Sequence, residues 1–352
     1  MVRFVRPLKY LFVFTLPILA YMAFHSRGWM TFLPLLEAFL IVPLLELLFK
    51  PDEQNMSAAE EEMVRNDRIY DGLVYAIVPV QIVFVYWFLQ SMGETGLSVV
   101  DKIGRISAMG LMCGVIGINV AHELGHRTKK YEQFMSKILL LSSLYMHFFI
   151  EHNRGHHKNV STPDDPASSR KGESLYAFWL RSVWYSYWSA WKLEADRLNR
   201  KNKKACSLHN EMLWYQLIQL ALVASIWVFF GLAITLCFLA AAAMGILLLE
   251  TVNYIEHYGL QREKTEQGVY ERVLPAHSWN SNHIVGRMML FDLSRHSDHH
   301  YLANRKYQIL RHMENAPQMP TGYPGMMIMA CLPPLWFAVM NNQIKKFATA
   351  NV

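Results

Sequence analysis

The run from residue 212 to residue 252 holds no charged side chain between Glu211 and Glu250. It is twice the roughly 20 residues that one membrane-spanning helix needs, and Gly231 stands where a hairpin of two spans would turn. Four more apolar segments precede it, at about 8–25, 29–49, 70–91 and 105–121, and join 212–230 and 232–252 as candidate spans. Of the 352 residues, 53% are hydrophobic and 18% charged, against about 25% charged in a soluble domain. The expected fold is an all-α integral membrane protein, one domain over 1–352, with six transmembrane helices.

Lys and Arg sort to cytoplasmic loops, so Arg3, Arg6 and Lys9 put the N-terminus in the cytoplasm. Four spans then return residues 122–210 to that side, and six return 253–320. Both regions should form a cytoplasmic, histidine-rich cap on the inner (cell) membrane. The first apolar segment reads as an uncleaved span, because no small-residue cleavage pattern follows Ala20 and Arg27-Gly28-Trp29 leads straight into the second. Residues 137–150 are too short to cross at about 1.5 Å per residue. Residues 174–195 carry Trp179, Trp184, Trp188 and Trp191 with Arg181 and Lys192 among them. They predict an interfacial helix, with a core helix of the cap as the rival. Residues 326–340, broken by Pro333-Pro334, should lie along or partly into the membrane.

The net charge of +6 is modest and points to no nucleic acid. Cys113, Cys206, Cys237 and Cys331 are scattered with no CxxC pair. That argues against a zinc ribbon, an iron–sulfur cluster, a fused rubredoxin-like module or structural disulfides, and leaves small buried hydrophobes.

Nine of the fifteen histidines fall into four short groups. They are His122 and His126; His152, His156 and His157; His257; and His296, His299 and His300. Residues four apart share a helix face, so His122 with His126, and His152 with His156, can each point at one ion. His296, His299 and His300 should give three donors on one stripe. Imidazole is the commonest metal ligand, and about four to six donors serve one ion. Nine therefore suit two ions. His122-Glu-Leu-Gly-His126 is also the HExxH pattern of zinc proteases, but a zinc site would leave most of the other histidines unexplained. The singletons His25, His147, His209, His277, His283 and His312 read as ordinary surface or core residues. A site beside a membrane suits apolar substrates, whose C–H bonds need redox chemistry with O₂, and two irons are the natural choice. Carboxylates orient ligating imidazoles; Glu123, Glu151, Asp164, Asp165, Glu256 and Asp298 stand near enough in sequence to do so.

The runs Asn119-Val-Ala-His-Glu-Leu-Gly-His-Arg127, Glu151-His-Asn-Arg-Gly-His-His157 and Asn253-Tyr-Ile-Glu-His-Tyr-Gly-Leu260 resemble the membrane alkane 1-monooxygenases. So do Ser278-Trp-Asn-Ser-Asn282 and Leu293-Ser-Arg-His-Ser-Asp-His-His300. Residues 161–166 match that family only approximately, a conservative departure that removes no ligand. The resemblance implies a six-helix fold and two irons on His122, His126, His152, His156, His157, His257, His296, His299 and His300. It further implies terminal hydroxylation of alkanes taken from the bilayer lipids, with electrons from rubredoxin and its reductase. Rubredoxins are typically acidic, so Arg127, Lys129, Lys130 and the basic run 200–204 are candidate docking contacts. The rivals are a xylene-type side-chain hydroxylase, a fatty-acyl desaturase and, outside the enzymes, a membrane metal carrier. A carrier would place polar ligands along the spans, where ionisable residues are few.

Overall fold

The structure is a computed structural model that describes residues 6–350, so Arg3 lies outside the described residues. Among those residues there are helices and two isolated β-bridges, and no strand. Six helices are long and apolar enough to cross a membrane: Arg6–Phe24, Gly28–Leu48, Arg68–Met92, Val99–Gly125, Glu211–Phe230 and Leu232–His257. This is the all-α, six-span fold expected from the sequence. The hairpin turns at Gly231, whose φ of +83° an L side chain rarely adopts.

The fourth span begins six residues before the expected 105. Its first turn is polar and escaped a hydropathy reading, yet it is a capping box. Ser98 Oγ accepts from the Asp101 N–H at 3.1 Å, and Asp101 Oδ2 accepts from the Ser98 N–H at 2.9 Å. Arg105 is buried there and donates to the Ser91 carbonyl at 2.6 Å and to Glu94 Oε2 at 2.9 Å. Residues 112–118 then widen to a π-helix. The chain sorts into two compact units, and each helix group is described within its own.

The first unit takes in residues up to Leu40, Arg68–Asn153 and Tyr187–Leu249. Its fourth and sixth spans meet through small residues, as membrane helices do where side chains would hold backbones apart. A Cβ added to Gly245 would lie 2.5 Å from Cys113 Cβ, and one added to Gly110 would lie 2.6 Å from Met244 Sδ.

The second unit takes in Ile41–Asp67, Arg154–Ser186 and the chain from Glu250 on. Its core gathers Phe178, Tyr254, Tyr258, Trp279, Tyr323, Met326 and Trp336. The tryptophan-rich segment is helical over Leu175–Asn199. It buries Leu175, Phe178, Ser182 and Ser186, and exposes Tyr176, Leu180, Trp184 and Trp188 at four-residue spacing. The exposed face is thus apolar and aromatic, the composition of a membrane-interface belt. The last apolar region splits into Tyr323–Ala330 and Pro333–Ala350, with Pro333 opening the second helix where its missing N–H costs nothing.

Replacing Gly245 with Leu should force the fourth and sixth spans apart and cost about 1–3 kcal/mol. Thermal unfolding in detergent should show the loss, whereas Leu at the open Gly72 should leave the midpoint near wild type.

Candidate metal centre

In the first unit, His122 and His126 stand on the last turn of the fourth span, and His152 opens a π-helical segment over His152–His156. Their rings converge. His152 Nε2 lies 3.0 Å from His126 Nε2, and the His122 ring centroid is 4.4 Å from that of His152. Phe148 stacks on His152 at 4.6 Å and walls one side.

In the second unit, His156, His257, His296 and His300 are all buried, and one ring nitrogen of each lies within 4.8 Å of the others. His156 Nε2 faces His300 Nε2 at 3.2 Å, and His296 Nε2 faces His257 Nε2 at 3.2 Å. His157 and His299 form a further pair, Nε2 to Nε2 at 3.2 Å. Two expected groupings are therefore corrected. His156 gathers with His257, His296 and His300, while His152 gathers with His122 and His126, on a segment that winds as a π-helix. His299 leaves the stripe of His296 and His300 to meet His157.

Carboxylates settle which nitrogens are bare. His156 Nδ1 donates to Asp165 Oδ2 at 2.9 Å, and His296 Nδ1 donates to Glu256 Oε1 at 3.1 Å. With Nδ1 protonated, a neutral ring carries its lone pair on Nε2. Those Nε2 atoms are the ones that crowd together. Burial, then the neighbouring histidines, hold the His300 pKa well below its ordinary value, so this ring stays neutral. Burial raises the Asp165 carboxyl, but the charge and hydrogen bond of His156 and the Ser168 hydroxyl overcome that and hold it below its ordinary value. The bare His156 Nε2 faces His300, and the bare His296 Nε2 faces His257. Four buried imidazoles backed by Asp165 and by Glu256, whose carboxyl is pushed by burial well above its ordinary pKa, fit a divalent transition-metal ion such as iron.

The other carboxylates divide. Asp164 is exposed, and Glu151 is buried beside His152. Asp298, expected to orient an imidazole, instead accepts from Arg305 Nη1 at 2.7 Å and from the Arg311 N–H at 2.8 Å. Glu123 accepts from Arg127 Nε at 2.9 Å and Nη2 at 2.6 Å. Arg127 was expected on a docking face; it is buried, 6% exposed, and also donates to Asp71 Oδ1 at 3.0 Å. A guanidinium ringed by acids fixes the end of the fourth span and offers nothing to a partner. Lys129 and Lys130 are exposed.

A fatty acid desaturase family model matches residues 104–329, a stretch that includes all nine clustered histidines. The chain is 41% identical to alkane 1-monooxygenase 1 of Pseudomonas aeruginosa, over 92% of this chain and 85% of that protein. It is also 41% identical to alkane 1-monooxygenase 2 of Alcanivorax borkumensis, over 87% of this chain and 81% of that protein. The chain belongs to the alkane 1-monooxygenase family. A more distant relative is the xylene/toluene monooxygenase hydroxylase component XylM of Pseudomonas putida, 29% identical over 67% of this chain and 63% of that protein.

Within this family member, two site residues had no signal in the sequence. Ser168 and Tyr323 each give a hydroxyl hydrogen bond to a carboxylate behind a clustered histidine. Among the singletons, His147 is buried between Tyr145 and Tyr187, and burial pushes its pKa down to about 4, as for a neutral core residue.

Replacing Arg127 with Leu would leave the buried Glu123 and Asp71 without their cation, and stability should fall by about 3–5 kcal/mol. Denaturation in detergent checks this; a variant as stable as wild type would return Arg127 to the surface.

Proposed function

We propose that this protein hydroxylates the terminal methyl of medium-chain n-alkanes to primary alcohols, using O₂ and electrons from rubredoxin and its reductase. The nine clustered histidines hold two irons, and the site works on the cytoplasmic side of the inner (cell) membrane. The observation that carries the reading is the buried four-imidazole cluster of the second unit, whose ring nitrogens converge while Asp165 and Glu256 hold the opposite nitrogens of His156 and His296. The other five clustered histidines, three in the first unit and two in the second, offer further imidazole donors.

Bound iron supplies the redox capacity that O₂ activation and C–H cleavage require. The chain's part is to hold the imidazoles aimed and to keep water from them. His156, His257, His296 and His300 do so from buried positions, with Asp165 and Glu256 buried behind the first and third. Insertion of one oxygen atom into a C–H bond sends the other to water and draws two electrons and two protons from outside. The electron donor must dock, and exposed Lys129 and Lys130, with the exposed run 200–204, offer positive charge to an acidic protein. Substrate should enter from the bilayer, since each CH₂ gains about 0.8 kcal/mol on leaving water. Alkanes are favoured over a xylene-type substrate because the alkane relatives match at 41% identity and the xylene relative at 29%.

Replacing any of the nine histidines with Ala should deplete iron and abolish hydroxylation. His25→Ala and His209→Ala, at exposed positions, should leave both close to wild type. Metal per protein separates this from a zinc protease, which would depend on His122 and His126 and tolerate loss of His296, His299 and His300. Reversing Lys129 and Lys130 to Glu should slow rubredoxin-driven turnover at low salt with iron content unchanged. Equal turnover at every ionic strength would remove that patch from the account.

A further inference from the structure

In the second unit, the two carboxylates behind the four-histidine cluster are built alike. Asp165 Oδ2 accepts the His156 Nδ1–H at 2.9 Å and, on the same oxygen, the Ser168 hydroxyl at 2.5 Å. Glu256 Oε1 accepts the His296 Nδ1–H at 3.1 Å and, again on the same oxygen, the Tyr323 hydroxyl at 2.6 Å. The hydroxyl protons have no other choice. Ser168 Oγ takes the Ser161 N–H at 2.8 Å, which fills an acceptor position and turns its own proton to Asp165. Burial, with Glu256 beside it, holds the Tyr323 phenol well above its ordinary pKa, so it remains a donor. Tyr323 is also held from behind. Gly322 packs so tightly on Glu46 that an added Cβ would lie 1.9 Å from Glu46 Oε2, and Glu46 Oε1 accepts the Gly286 N–H at 3.0 Å.

We propose that Ser168 and Tyr323 are positioning residues that set the electron-donating strength of His156 and His296 through these shared carboxylate oxygens. A carboxylate behind a ligating imidazole pulls on its N–H proton and makes the ring a stronger donor to the metal. A second hydrogen bond to the same oxygen spreads the carboxylate's charge and weakens that pull. Each hydroxyl is thus a brake on ligand basicity. Removing the brake leaves a more electron-rich metal, which favours the oxidised state and lowers the reduction potential, since hydrogen bonding around the ligands is one lever a protein has on potential.

The inference rests on the reading that iron sits on these histidines, and its test separates the two. Iron per protein and midpoint potential would be measured in full-length wild type, Ser168→Ala, Tyr323→Phe and protein with 3-fluorotyrosine at position 323. Phe keeps the ring that packs in the core, and 3-fluorotyrosine keeps both ring and hydroxyl while donating more strongly. The expected result is wild-type iron content throughout, a more negative potential in both substituted proteins and a more positive one in the fluorotyrosine protein. Potentials that stay at the wild-type value with iron present would overturn this inference and leave the iron reading standing. A fluorotyrosine shift of the same sign as the Tyr323→Phe shift would overturn it too, as would iron loss from Tyr323→Phe with no fluorotyrosine shift. Wild-type protein that binds no iron would overturn both.

Discussion

The structure depends on a pair of hydrogen bonds, His156 Nδ1 to Asp165 and His296 Nδ1 to Glu256. Each fixes a tautomer, and the tautomer decides which ring nitrogen keeps its lone pair. With both Nδ1 atoms protonated, His156 and His296 turn bare Nε2 atoms toward the Nε2 atoms of His300 and His257, an arrangement that a cation would turn into a ligand cage. Both carboxylates are buried behind the imidazoles, and a buried charge persists only when it is paired.

Helix ends supply the imidazoles, for a reason rooted in the membrane. A spanning helix satisfies its own backbone inside the bilayer, and polar ligands are cheapest where it emerges. His122 and His126 close the fourth span, and His257 closes the sixth. The close approach of Gly245 to Cys113 lets the fourth and sixth spans pack backbone to backbone, which holds the end that carries His122. The π segments at 112–118 and 152–156 lie beside or within the histidine groups. A wider turn redirects side chains from where α-helical spacing would point them.

Much of this was legible in the sequence, and the remainder was hidden for identifiable reasons. The spans and the break at Gly231 follow from local composition, which a bilayer reads directly. That the histidines form close groups was visible from short-range spacing. How they sort was not: His299 parts from His296 and His300, and His156 from His152, because the rings each one meets come from distant segments that spacing does not encode. Asp165 and Asp164 are neighbours with identical side chains, yet one is buried against His156 and the other is exposed. Arg127 looked like a member of a basic surface run because its acid partner Asp71 is 56 residues away. Tyr323 meets Glu256 across 67 residues and belongs to no histidine motif.

The central claim is that this chain is a two-iron enzyme whose ions are bound by imidazole nitrogen. Metal analysis of the purified wild-type protein, combined with iron X-ray absorption, tests it most directly. The account predicts two irons per chain, with a first coordination shell dominated by nitrogen at imidazole distances and an outer-shell pattern from the rings. One zinc per chain, or iron in a shell dominated by oxygen, would contradict it.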